Sequence, residues 1–147
     1  MNCNNIVKGT DNDFNQLSTI WESAVKATHD FLDHEDFVYY KSRIMDYFRM
    51  VDIYVYKNEQ GKAIGFIGVS ESMVEMLFVD ATFRGRAVGK KLLEYAIYTL
   101  NVYKLDVNEQ NTQALGFYTH MGFKITGRSQ TDSEGKPYPL LHLQYEA

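Results

Sequence analysis

One segment organises the rest of the sequence: Leu77-Phe-Val-Asp-Ala-Thr-Phe-Arg-Gly-Arg-Ala-Val-Gly-Lys-Lys-Leu-Leu93. It begins as an apolar strand, passes through a basic turn that contains glycine, and runs directly into a helix. The first backbone N–H groups of a helix lack partners and lie at the positive end of its dipole, so anions bind there. Gly85 and Gly89 permit close approach of the backbone. In a chain of formal net charge -4, four basic residues reverse the local charge: Arg84, Arg86, Lys90 and Lys91.

The segment therefore predicts a phosphate site, although an ordinary strand, turn and basic helix start would have the same pattern. Two familiar phosphate loops are excluded. A Walker A loop has four residues between its glycines and Ser or Thr after the lysine, whereas Gly85 and Gly89 enclose three residues and Lys91 follows Lys90. The dinucleotide fingerprint Gly-x-Gly-x-x-Gly is absent.

Length and composition predict a single domain over residues 1–147, long enough to enclose one core. The hydrophobic content of 45% supports a packed globule. The sequence pI of about 5.5 argues against a general nucleic-acid or membrane binder, which would have a basic face. No apolar run approaches the roughly eighteen residues that span a bilayer.

The lone Cys3 has no partner for an intramolecular disulfide, and residues 1–5 lack the charged and apolar regions of a signal peptide. These features predict a protein of the reducing cytoplasm. Four scattered histidines form no metal-binding motif, so no metal is predicted: His29, His34, His120 and His142.

Hydrophobic periodicity predicts an α+β domain. A helix is predicted from a cap at residues 11–13 to about His29, and further helices follow at 37–48, 88–100 and about 111–121. Period-two alternation predicts strands at residues 52–57, 63–69, 73–79, 103–107, 123–131 and 140–145. The first three of these strands form an antiparallel meander. The strand, helix and strand that follow require a right-handed crossover, so the strands at Leu77 and Leu105 should be parallel.

A second motif lies in Asn111-Thr-Gln-Ala-Leu-Gly-Phe-Tyr-Thr-His-Met-Gly-Phe123. It resembles the Asn-x-x-Ala-x-x-Phe/Leu-Tyr-x-x-x-Gly-Phe signature of the GNAT superfamily of acyl-coenzyme A-dependent N-acyltransferases. Arg84-Gly-Arg-Ala-Val-Gly89 in turn resembles the family's pyrophosphate loop, Arg/Gln-x-x-Gly-x-Gly/Ala. Ala87 departs from the glycine usual in that loop, and would be strained if its φ were positive.

The resemblance implies the GNAT fold, with a mostly antiparallel sheet of about 6–7 strands, about four helices, and a parallel strand pair that splays around acetyl-CoA. It implies that the backbone of Phe78 and Val79 bonds the pantetheine arm, that the amides from Arg86 to Lys90 hold the pyrophosphate, and that Asn111 bonds the pantetheine side. The implied cofactor-binding residues are Leu77, Phe78, Val79, Arg84, Gly85, Arg86, Ala87, Val88, Gly89, Lys90, Asn111 and Tyr118.

The resemblance also suggests the catalytic groups. Tyr118 would lie near the thioester sulfur and protonate the departing thiolate, although a packing role is the alternative. The attacking amine must lose a proton, and Glu75 is the first candidate base, unless it is merely an exposed residue. His29 and Asp30 are the reserve bases. Strand alternation predicts that Glu75 shares a face with Leu77 and lies opposite Val74, unless a bulge intervenes.

The predicted activity is transfer of an acetyl group from acetyl-CoA directly to a primary amine of a small molecule or peptide. In the family, the first two helices and the last hairpin wall the acceptor pocket. The implied substrate-binding residues are Trp21, His29, Phe31, Tyr138 and His142. An acetyl-CoA sensor or scaffold without transferase activity stays open, as does an acetyltransferase of protein N-termini or lysines. We predict neither a nucleic-acid nor a membrane partner, and a monomer or homodimer.

Overall fold

The computed structural model describes residues 5–85 and 87–146. The sequence predictions for Cys3 and Arg86 lie outside these residues. The helices are α1 (Phe14–Thr28), α2 (His34–Arg49), α3 (Val88–Tyr98) and α4 (Thr112–His120). The strands are β1 (Ile6–Lys8), β2 (Asp52–Lys57), β3 (Ala63–Val69), β4 (Met73–Val79), β5 (Lys104–Asn108), β6 (Phe123–Ser129) and β7 (Leu140–Tyr145).

The seven strands form one sheet in the order β1-β2-β3-β4-β5-β7-β6. Only β4 and β5 are parallel neighbours among the pairs in the described part of the chain. The predicted α+β class and the predicted parallel pair are confirmed. Strand β1 was not predicted, because three residues are too few to establish an alternating pattern.

Helices cover the sheet on two sides, and each side has its own apolar cluster. On one side α1 and α2 contribute Leu17 and Phe48, which pack with Phe66 of β3. On the other side Leu92 and Leu93 of α3 pack with strand residues that include Ile67. Phe66 and Ile67 are consecutive, so strand alternation sends their side chains to the two clusters. No helix in residues 5–85 and 87–146 is both long and apolar enough to cross a membrane.

Gly65 lets α3 lie close to the sheet. A Cβ atom at this position would be 2.9 Å from Cγ1 of Val88 and 3.3 Å from Cδ1 of Leu92. Real Cβ atoms essentially never come within 3.0 Å of another heavy atom, so a larger residue at position 65 would require Val88 at the start of α3 to shift. Because α3 begins at the predicted phosphate loop, this contact sets the height of the loop above the sheet.

A β-bulge lies at Glu75. Met76 pairs with Gly68, but Val74 pairs with Val69, so Glu75 is the extra residue in β4. The bulge reverses the alternation, and Val74 joins the α3 cluster together with Leu77. The prediction that Val74 lies on the face opposite Leu77 is therefore wrong, for the reason anticipated in the sequence.

Candidate active site

The parallel strands β4 and β5 separate after a short paired region. Their ladder contains only the pairs Met73 with Lys104 and Val74 with Leu105 among the described residues. The bulge at Glu75 follows at once, and a bulge bends its strand and increases the local twist. Beyond it a cleft of about 850 Å³ opens, which both strands line.

The register of β4 determines which amides face this cleft. The Asp80 N–H donates to the Ile64 carbonyl at 2.9 Å, and pairs in an antiparallel ladder alternate between bonded and non-bonded. Phe78 is two residues from Asp80, so its backbone groups bond β3. The backbone groups of Leu77 and Val79 point the other way, into the gap. The Phe78 backbone, which the resemblance implied would bond pantetheine, therefore faces β3, while the Phe78 side chain lines the cleft.

The loop before α3 uses left-handed backbone. Gly85 has φ 82° and Ala87 has φ 62°, so the strain predicted for alanine at position 87 is present. A Cβ at Gly85 would meet no heavy atom within 4 Å, so backbone conformation rather than space favours glycine there. Arg86, which lies between them in the sequence, is outside the described residues.

The first turn of α3 opens on the cleft. The helix ladder begins with the bond from the Lys91 N–H to the Ala87 carbonyl at 3.0 Å. The N–H groups of Val88, Gly89 and Lys90 therefore precede the ladder, and all three residues line the cleft. Free amides at a helix N-terminus suit a pyrophosphate. Together with the open edge of β4, they fit the chemistry of acetyl-CoA.

Asn111 is a buried polar residue that caps α4. Its Oδ1 accepts the Ala114 N–H at 3.2 Å, which satisfies one free donor of the helix. The residue also lines the cleft, so its amide nitrogen is the group left for a ligand. Gly122, with φ 104°, follows the end of α4 as predicted.

Tyr118 lies on α4, with its ring held between two phenylalanines. Ring centroids are 5.3 Å from Phe117 and 5.9 Å from Phe123. The side chain is buried and lines the cleft, and burial raises the pKa of its hydroxyl. No buried side-chain nitrogen or oxygen in the described part of the chain lacks a partner, and no bond joins this hydroxyl to a described residue, so the hydroxyl reaches the cleft. A protonated phenol facing the cleft has the form required of an acid.

Two candidate bases line the same cleft. Glu75 is exposed, and its Oε1 accepts a hydrogen bond from Ser70 Oγ at 3.2 Å. Burial lowers the pKa of His29 from 6.5 to about 4, against an opposing effect of Asp30, so the imidazole is neutral at pH 7. A pKa that low makes His29 a weaker proton acceptor at neutral pH than an imidazole with its ordinary value. Asp30 is exposed and is not among the described lining residues.

The hydrogen bonds of His29 define its tautomer. Thr28 Oγ1 donates to the Ala24 carbonyl at 2.8 Å, so it accepts from His29 Nδ1 at 2.7 Å. The proton is therefore on Nδ1, and Nε2 is left as an acceptor.

Tyrosines of α2 bind the β6–β7 connection at the wall that the resemblance implies for the acceptor. Tyr40 donates to Asp132, and Tyr47 donates to Glu134 at 2.5 Å. The pKa of both phenols is raised, first by burial and then by these carboxylates. Tyr40, Tyr47 and Asp132 all line the cleft.

A second set of bonds joins the same connection to the start of α2. The Tyr138 hydroxyl donates to Asp36 at 2.5 Å, and Lys136 lies 3.0 Å from the same carboxylate. These partners hold the pKa of Asp36 below its usual value, with the tyrosine bond as the larger cause. The implied acceptor wall is thus assembled from side chains that lie far apart in the sequence.

The predicted substrate residues separate into two groups. Trp21, His29 and Tyr138 line the cleft. Phe31 contacts the rings of His29 and Tyr138, at 5.2 and 6.1 Å, without being among the described lining residues. His142 is likewise not among the described lining residues. Its imidazole instead bonds side chains of the two neighbouring strands, Ser129 and Asp106. Lining residues that the sequence did not single out as site residues include Thr28, Leu32, Tyr40, Tyr47, Asp106, Asp132 and Ser133.

Comparison with known proteins identifies the class. A family model described as an acetyltransferase (GNAT) domain matches residues 49–125, which is about half of the chain. The chain therefore belongs to the GNAT acetyltransferases, and the resemblance seen in its two motifs is confirmed. It is an acetyl-CoA-dependent N-acetyltransferase.

Two curated relatives cover nearly the whole chain. The peptidyl-lysine N-acetyltransferase YjaB of Salmonella typhimurium (strain LT2) is 40% identical over 141 residues, which are 96% of this chain and 97% of the relative. The protein of the same name from Escherichia coli (strain K12) is 42% identical over 130 residues, 88% of each chain. The solution structure of the apo form of Escherichia coli YjaB matches with a TM-score of 0.83 and covers 95% of both chains.

Proposed function

We propose that this chain acetylates the ε-amino group of lysine residues in proteins. The observation that carries this proposal is its similarity, at 40% identity over almost the full length, to proteins named as peptidyl-lysine N-acetyltransferases. Among the acceptors considered from the sequence, this favours the protein-lysine alternative over a free small-molecule amine.

The acceptor end of the cleft suits a lysine side chain. A lysine has a flexible apolar stem and a compact cationic head. Trp21 and Tyr40 provide aromatic surface for the stem, and Trp21 is itself fixed by stacking on Phe37 at 5.4 Å. Glu75 and Asp132 line the same cleft and provide negative charge for the head. An aromatic wall with carboxylates therefore supports recognition of a long primary amine.

We propose direct transfer within this cleft. Acetyl-CoA supplies an acetyl group activated as a thioester. Glu75, through water, takes the proton that the lysine ammonium must lose before it can attack. The N–H groups of Leu77 and Val79 stabilise the negative charge that develops on the acyl oxygen. As the C–S bond breaks, Tyr118 donates its proton to the departing sulfur, and the second proton lost by the lysine nitrogen passes through water to restore the phenol.

Mass spectrometry tests the acceptor. The protein is incubated with isotope-labelled acetyl-CoA and with two substrate sets, a panel of lysine-containing peptides with blocked N-termini and a panel of small amines. The proposal expects a labelled acetyl group on peptide lysines, at a higher kcat/KM than on any free amine. Labelling confined to free amines or to peptide N-termini would contradict it, and cofactor binding without turnover would favour the sensor alternative.

Three predictions from the sequence accompany this proposal. Residues 1–147 act as one acetyltransferase domain, the protein works in the cytoplasm, and the oligomeric state is a monomer or a homodimer. Size-exclusion chromatography with light scattering tests the last of these.

A further inference from the structure

Three side chains outside the proposed transfer chemistry form a connected hydrogen-bonded chain. Ser129 Oγ lies 2.7 Å from Nε2 of His142, and Nδ1 of the same imidazole lies 2.6 Å from Oδ1 of Asp106. A hydroxyl, an imidazole and a carboxylate within these distances are the mark of an activated serine nucleophile, whatever the fold.

The sheet register builds this arrangement. Asp106 of β5 pairs directly with His142 of β7, and Ser129 of β6 pairs with Leu140, two residues from His142. Side chains two residues apart on a strand share a face, so all three groups project from the same side of the sheet. The apolar neighbours Leu105 and Leu141 pack on the other side, in the α3 cluster. Three adjacent strands therefore hold the three side chains, with no loop between them.

A glycine makes room for the imidazole. Gly127 pairs with His142 across β6 and β7. A Cβ at Gly127 would lie 3.3 Å from Cδ2 of the His142 ring, closer than most real Cβ contacts. The ring thus rests against the bare backbone of β6, and this position keeps it between Ser129 and Asp106.

The carboxylate fixes the direction of the hydrogen bonds. A carboxylate at 2.6 Å only accepts, so the imidazole places its proton on Nδ1 and donates to Asp106. Nε2 is then an acceptor, and it receives the Ser129 hydroxyl proton. This direction is the one that activates a serine, because the base is free to take the proton as the oxygen attacks.

The geometry points to a second acyl-transfer centre, in which Ser129 is a nucleophile, His142 its general base and Asp106 the group that orients the base. Its substrates are small, unhindered acetyl esters or thioesters. Asp106 and Leu140 line the cleft that fits acetyl-CoA, so the centre adjoins a site for an activated acetyl group. His142 and Asp106 are both about one third exposed, which leaves the centre open to a small substrate.

The proposed reaction requires only Ser129, His142, the acetyl donor and water. Ser129 Oγ forms a bond to the acetyl carbon, and its proton moves to Nε2 of His142. The bond from the acetyl carbon to the leaving oxygen or sulfur breaks, and the same proton passes to the leaving group. Water then attacks the acetyl-serine with His142 again as base, which releases acetate and restores the serine. This activity does not depend on the acceptor proposed above.

A fluorophosphonate probe tests the centre in the full-length protein. Such a probe phosphonylates an activated serine with loss of fluoride, and peptide mass mapping locates the adduct. We expect an adduct on Ser129 and an acetyl group on the same residue after brief exposure to p-nitrophenyl acetate. His142→Gln and Asp106→Asn should slow labelling by about 100-fold or more, because they remove the base or its orientation, and Ser129→Ala should abolish the adduct.

Ser42→Ala is the matched control. Ser42 donates to the Tyr39 carbonyl at 2.6 Å and has no imidazole among its described partners, so labelling of Ser129 should persist in this variant. Circular dichroism of each variant reports whether the fold is retained. The proposal is overturned if Ser129 carries no adduct while a known serine hydrolase in the same reaction is labelled. It is equally overturned if folded His142→Gln labels Ser129 at the original rate.

Discussion

The two halves that we propose for the cleft, one for the cofactor and one for the acceptor, are built in different ways. The proposed cofactor half is formed mainly by backbone groups of one continuous segment, the amides of Leu77 and Val79 and the first turn of α3. The acceptor half consists of side chains that are far apart in the chain, such as Tyr40 with Asp132 and Asp36 with Tyr138. Backbone groups survive most substitutions, whereas a side-chain network changes with each one. The acceptor half is therefore where substitutions should alter specificity.

Tyr118→Phe gives the largest expected effect, because Tyr118 is the proposed general acid and lines the cleft. Loss of the phenolic proton should lower kcat by about 100-fold, within the range of general acid catalysis. The KM values for acetyl-CoA and for a lysine peptide should change little, since the ring contacts with Phe117 and Phe123 are kept. Release of free thiol, followed continuously, measures both constants. An unchanged kcat would remove Tyr118 from the mechanism.

The second prediction concerns His29 in the proposed acceptor half and is measured as the pH dependence of the free energy of unfolding. The pKa of His29 is lowered from 6.5 to about 4 in the folded protein. Between these two pH values the unfolded chain binds a proton that the folded protein does not bind. The contribution of His29 is complete above pH 6.5 and is lost as the pH falls toward 4. Between pH 7 and pH 4.5 this amounts to about 2 kcal/mol of the free energy of unfolding.

Urea denaturation of the wild type and of His29→Asn at both pH values isolates this contribution. Asparagine can keep the bond that Nδ1 makes with Thr28 but cannot take up a proton. The wild type should lose about 2 kcal/mol more than the variant on acidification. If the wild type and the variant lost the same free energy of unfolding, the pKa of His29 would not be lowered and its imidazole would not be desolvated.

Asp132→Asn distinguishes the two proposed halves, because it should change the KM for the acceptor but not the KM for acetyl-CoA. The substitution removes a negative charge from the acceptor wall, and asparagine keeps the Oδ1 that accepts the N–H groups of Glu134 and Lys136. We expect the KM for a lysine peptide to rise about tenfold, equivalent to about 1.4 kcal/mol, with the KM for acetyl-CoA unchanged. Asp46→Asn makes the same charge change on the exposed side of α2 and should alter neither constant. Equal effects of the two variants would assign the change to net charge.

The same contrast explains what the sequence could predict. The loop and helix starts proposed to hold the cofactor could be predicted because their requirements are local: Gly85, the start of α3 and Asn111 at the start of α4 occupy fixed positions within two short motifs. A bulge in β4 was left open as an alternative, but its presence at Glu75 could not be predicted, because it depends on pairing with Gly68 and Val69 in another strand. Asp132 and Tyr40 were missed because their bond joins residues 92 positions apart. Nothing local in an Asp-Ser-Glu-Gly turn or a helical tyrosine indicates such a partner.

Ala87→Gly gives the smallest expected effect. It restores the glycine that is usual at this position of the pyrophosphate loop. Ala87 has φ 62°, where alanine is strained and glycine is not. The substitution should therefore stabilise the fold by about 0.5 kcal/mol, since relief of strain outweighs the greater freedom of glycine in the unfolded chain. Ala27→Gly, at an exposed position within α1, should instead destabilise by about 1 kcal/mol. If both variants lost stability alike, the backbone at position 87 would not be left-handed in solution. The amides of the first turn of α3 would then point in directions other than those described above.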